Sequence, residues 1–93
     1  MRHPYLIPKK SGSKTIFHFR SYIPQDLISN FLGRKQFQIS LKNVSNKETI
    51  IVAISLHNLT EQLFNDIRMG EKSLSLEDVR EILKVEVRKS ILH

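Results

Sequence analysis

The sequence predicts an α+β fold: a small three-stranded antiparallel sheet covered on one face by a long helix, with a short helix between strands 2 and 3 and a further C-terminal helix. Three observations predict it. Up to about residue 43, apolar and polar residues alternate, which is the period of a half-buried strand. From Ser45 onward apolar residues recur every three to four positions, which is the period of an amphipathic helix. A third observation is length: 93 residues furnish one core, so a sheet of this size has nothing left to bury its second face.

The elements follow in order. "YLIPKK" reads as an edge strand, because Pro4 and Pro8 cannot donate to a ladder on both sides. "SGS" at residues 11 to 13 is a hairpin turn in which Gly12 takes the positive φ. "KTIFHFRSYI" is the strongest strand, with Phe17 and Phe19 on one side and Ile16, His18, Arg20 and Tyr22 on the other. Pro24 ends it and can open a helix, where its missing N–H costs little. "PQDLISNFLG" fits that short helix, with Asp26 in the first turn, Leu27, Ile28 and Phe31 inward, and Gly33 as the stop. "RKQFQISLKN" alternates again: Phe37, Ile39 and Leu41 against Gln36, Gln38, Ser40 and Lys42.

The first helix is expected to start at a Ser45/Glu48 capping box and run to Gly70, roughly 24 residues or about 36 Å. Its inward stripe is Val52, Leu56, Leu59, Leu63 and Ile67, widened by Ala53 and Phe64. The second helix is expected to start at Ser75, with Asp78 three residues on and Leu74 and Val79 as a hydrophobic staple; Val79, Leu83, Val87 and Ile91 form its stripe.

Composition bounds the function. The chain is 40% hydrophobic and 26% charged, ordinary for a folded soluble protein. It has no cysteine, no run of the ~20 apolar residues a membrane span needs, and no signal-peptide pattern, so a cytoplasmic protein with no membrane partner is expected. The net charge of +6 is uneven: residues 1 to 43 carry eight Lys/Arg against Asp26, while residues 44 to 93 carry seven against eight acids. Charge concentrated on one half is the footprint of a polyanion partner. His3, His18, His57 and His93 lack metal-ligand spacing, and no carboxylates converge for acid–base work, so neither metal nor cofactor nor small-molecule substrate is expected. "SGSK" lacks the phosphate-loop form, and the "NVS" and "NLT" sequons have no secretory context.

The expected open sheet face carries His18, Arg20, Tyr22, Gln36, Gln38, Ser40 and Lys42, donors suited to phosphates and base edges. Lys9, Lys10 and Lys14 flank it as phosphate contacts, and Arg34 and Lys35 complete the basic set.

The ordered series Tyr5-Leu6, Phe19-Arg20, Ile23-Pro24, Asp26-Leu27, Gly33-Arg34 and Ser40-Leu41-Lys42 resembles the N-terminal, arm-type-like domain of phage-integrase-type tyrosine recombinases, over about residues 5 to 68. Asn43 stands where threonine is usual, and Ser21-Tyr22 where arginines are common. The resemblance implies a non-catalytic module that binds double-stranded DNA, with other recombinase subunits as further partners. It also implies that residues 1 to 70 form this domain and 71 to 93 begin a core-binding domain, the chain being part of something longer. By analogy Arg20 and Lys42 are the central contacts, with Gln36 and Gln38 beside them. Tyr5 and Tyr22 are not nucleophiles on this reading. A protein-interaction module without DNA contact is the alternative expectation, and double-stranded RNA binding a third.

Overall fold

A computed structural model describes residues 4–91; Arg2, His3 and His93 lie outside the described residues, as does the side chain of Ile91. The architecture is α+β, a three-stranded antiparallel sheet with helices, as the alternation and its change of period predict. The order is β1 (Leu6–Ser11), β2 (Lys14–Tyr22), a 3-10 helix (Gln25–Phe31), β3 (Gln36–Ser40), α1 (Thr49–Arg68) and α2 (Leu76–Ile91). The strands lie in the order β1-β2-β3, so β2 is central.

The β1–β2 hairpin closes with Ser11 opposite Lys14, leaving Gly12 and Ser13 as a two-residue loop. Gly12 has φ +64 and Ser13 no positive φ, the pattern of a type II′ turn, whose twist matches that of the strands. Pro8 sits opposite Phe17 on the edge strand β1, where a missing donor is tolerated. Leu6 faces Phe19, Phe19 faces Ile39, and Ser21 faces Phe37, so one side of the sheet collects the large apolar residues. The hydrogen bond from Leu41 N–H to the Phe17 carbonyl, 2.9 Å, extends this pairing past β3.

The short helix forms as a 3-10 helix, with Leu27 and Phe31 buried and Ile28 packed against the core. Its end is unusual: Leu32 takes the left-handed conformation (φ 57, ψ 35), although glycine follows it. Phe31 meets Phe64 of α1 edge-on, ring centroids 6.0 Å apart. Arg68, at the end of α1, grips Asp26 with Nε at 2.6 Å and Nη2 at 3.2 Å, which fastens the 3-10 helix to α1.

The helix α1 is shorter than its sequence pattern predicts, 20 residues from Thr49. The expected Ser45/Glu48 capping box does not form; Glu48 has no side-chain cap, and its N–H instead donates to the Ser45 carbonyl at 2.9 Å. Val44, buried in the core, and a Leu41–Val44 turn hold this segment in consecutive tight turns, so helical winding starts only afterwards. Thr49 Oγ1 donates to the Asn46 carbonyl in that bend. The inward stripe is as expected except at one step: Leu59 is half-buried and Thr60 is fully buried. The Thr60 hydroxyl donates to the Leu56 carbonyl at 2.6 Å, which satisfies it and leaves its methyl for packing. At the C-terminus Gly70 (φ +75) donates to the Ile67 carbonyl and Glu71 to the Asp66 carbonyl, a Schellman closure.

The start of α2 matches the sequence signal. Ser75 N–H donates to Asp78 Oδ2 at 2.9 Å, and Asp78 N–H donates to Ser75 Oγ at 3.1 Å, a reciprocal capping box. Val79, Leu83 and Val87 are buried in the same cluster as Phe37, Ile39, Leu56 and Phe64. Both helices therefore seal one core with the sheet. Arg80 Nη1 donates to the Gln38 carbonyl at 2.7 Å, so α2 is tied to the edge strand β3.

Candidate nucleic-acid interface

The second sheet face is built by strand periodicity alone. Because successive side chains alternate, burying Phe19, Ser21, Phe37 and Ile39 turns their neighbours outward. The register then aligns these neighbours in rows: His18 opposite Ser40, Arg20 opposite Gln38, and Tyr22 opposite Gln36. Six of the seven residues expected on the open face thus share one surface, and Lys42 lies just past the end of β3. On β1 the same face carries Ile7 opposite His18 and Lys9 opposite Ile16.

The centre of this face is ordered by packing among its own side chains. The Arg20 guanidinium lies over the Tyr22 ring, 5.0 Å from its centroid, while the ring itself is 63% exposed. Arg20, His18 and Gln38 are half-buried, and Ser40 and Gln36 are exposed. His18 Nδ1 and Arg20 Nε are shielded from solvent and find no hydrogen-bond partner among the described residues. A cation packed over an aromatic neighbour loses less freedom on binding than a free side chain would.

The remaining expected contacts take up flanking positions. Lys14, in phase with His18 and Arg20 at the hairpin end of β2, lines a concavity of about 330 Å³ together with Lys42, Thr15, Asn46 and Thr49. Lys10 pairs with Thr15 and belongs by phase to the covered face, although both are exposed beyond the core. Arg34 and Lys35 are exposed in the turn before β3, held by the bond from Ile23 N–H to the Lys35 carbonyl, 2.9 Å. Ser21 is buried on the covered face, so its lack of charge takes nothing from the open one.

Sequence periodicity misses Arg80 and Lys84, which reach the β3 edge from α2. With Arg34, Gln36, Gln38 and Glu77 they line a groove of about 530 Å³. Their only sequence signal is a spacing that puts positions 77, 80 and 84 on one side of a helix, which does not say what that side meets.

Among the described residues no group of three His, Asp or Glu side chains could hold a metal ion, and no helix is long and apolar enough to cross a membrane. The surface offers hydrogen-bond donors, positive charge and the exposed ring of Tyr22. Searches against protein-family models, curated proteins and solved structures find no match to this chain.

Proposed function

We propose that this domain is a non-catalytic DNA-binding module of a phage-integrase-type tyrosine recombinase, which supports recombination and integration by docking its open sheet face on duplex DNA. One observation carries the reading: a single strand register aligns Arg20 with Gln38, Tyr22 with Gln36 and His18 with Ser40 on a face left out of the core. A strand ribbon fits the B-DNA major groove, about 12 Å wide, and guanidinium and carboxamide groups match guanine and adenine edges. The excess of positive charge in the first 43 residues supports the same partner. On this reading strand cutting belongs to a separate catalytic domain of the parent enzyme, and α2 leads toward a core-binding domain. The module works in the cytoplasm.

A mobility-shift titration with short duplexes at low salt tests the proposal. Wild type binds, and binding weakens with salt at a slope of about 0.9 per phosphate contact. Arg20→Ala and Lys42→Ala each lower affinity, by about tenfold for Arg20 if it reads a base edge, with an unchanged circular dichroism spectrum. No binding by wild type at low salt refutes the reading.

A second reading, docking on another recombinase subunit, draws on Ile50, Ile51 and Ile54. All three are exposed on the first turns of α1, with Ile51 at 69%. On that reading the domain makes no direct DNA contact, and Ile51→Glu disrupts subunit association.

A further inference from the structure

The groove between β3 and α2 opens beside the proposed DNA-reading face and shares Gln36 and Gln38 with it. Its charged lining is Arg34 from the turn, Arg80 and Lys84 from α2, and Glu77. Three cations against Glu77, with Glu81 beside Lys84, leave it net positive by one. An edge strand ordinarily offers its free carbonyls to another strand, which favours an extended peptide as occupant. Here the Gln38 carbonyl is already taken by Arg80 Nη1 at 2.7 Å, so the ladder is blocked in mid-strand. That bond uses one of the five N–H donors of the guanidinium. Lys84 Nζ lies 3.7 Å from Glu81 Oε1, an exposed and separated pair that an anion displaces at little cost.

We infer that this groove is a second contact for the same nucleic acid: Arg34, Arg80 and Lys84 hold the phosphate backbone of the duplex whose bases face β2 and β3. The inference rests on the DNA-binding reading and adds α2 to the contact surface. Phosphate contacts of this kind fix register and orientation and carry no sequence information. Glu77 is the repulsive element that limits the site's affinity.

The test measures duplex affinity against salt for wild type, Arg34→Ala, Lys84→Ala and Glu77→Gln, with Arg20→Ala alongside. Removing either cation is expected to weaken binding several-fold, equally for any duplex sequence, and to lower the salt slope by about 1. Glu77→Gln is expected to tighten binding, a gain that loss of folding cannot imitate. If wild type binds and Arg20→Ala weakens it, while all three groove variants keep wild-type affinity and slope, the groove inference fails and the sheet-face reading stands. If wild type binds no duplex, both fail. A glutamate-rich peptide that shifts the amide resonances of α2 around Arg80 and Lys84, where duplex DNA shifts none, overturns the inference in favour of a peptide site.

Discussion

Replacing Leu83 with alanine asks whether α2 is part of the core or an appendage to it. Leu83 is fully buried (0% exposed), within a cluster that includes Phe37 and Ile39 of β3 and Leu56 and Phe64 of α1. Burying a leucine is worth about 1.5–3 kcal/mol, and the unfilled space left by truncation adds to the loss. The expected cost is about 3 kcal/mol. A domain of this size has a total stability of order 5–10 kcal/mol, so the change removes roughly 30–60% of it. At roughly 4–8 °C per kcal/mol, the melting temperature falls by about 12–24 °C. Val85, two residues on and 40% exposed, is the internal control: Val85→Ala should cost under about 1 kcal/mol. Urea unfolding followed by both circular dichroism and fluorescence-independent amide shifts measures the two variants in one transition. If Leu83→Ala proves as mild as Val85→Ala, α2 does not belong to the shared core, and the tie between Arg80 and β3 loses its support.

Three further perturbations address single features. Leu32 is 98% exposed and left-handed, so Leu32→Gly removes backbone strain without a packing loss; thermal melts should show a gain of up to about 1 kcal/mol. Ser75→Ala breaks the reciprocal cap of α2 and should cost about 1 kcal/mol by urea midpoint, whereas Ser45→Ala, at a box that does not form, should cost almost nothing. The third concerns pH. The hydrogen bond from Arg68 holds the Asp26 carboxyl below its ordinary range. A depressed acid stabilises the fold above its unfolded value and loses that contribution as pH falls through the lower folded one, here below about 4. The urea midpoints of wild type and Asp26→Asn should therefore differ at neutral pH and converge in acid; a difference that persists in acid contradicts the ion-pair account.

Much of this fold was legible because its signals are local. Alternation in residues 15 to 22 and 36 to 41 gave both strands and their faces, since the side-chain period of a strand does not depend on its neighbours. The Ser75–Asp78 cap was readable for the same reason: all its atoms lie within one turn. The same signal misled at Ser45 and Glu48, where Val44 is drawn into the core and tertiary packing overrides the local preference. Thr60 in place of Leu59 was hidden because a hydroxyl bonded to its own helix packs as an apolar group does. Asp26–Arg68 and Gln38–Arg80 join residues 42 positions apart in each case, and no periodicity reports such pairs. The open face was thus predictable from alternation, and the α2 side of the groove was not.

The most direct measurement of the central claim is amide chemical-shift mapping of the folded domain during titration with a short DNA duplex. The account predicts that the largest changes fall on His18, Arg20, Tyr22, Gln36, Gln38 and Ser40, in saturable binding that recedes with added salt. Changes confined to the outer side of α1 around Ile50, Ile51 and Ile54, or no saturable change at low salt, would contradict it.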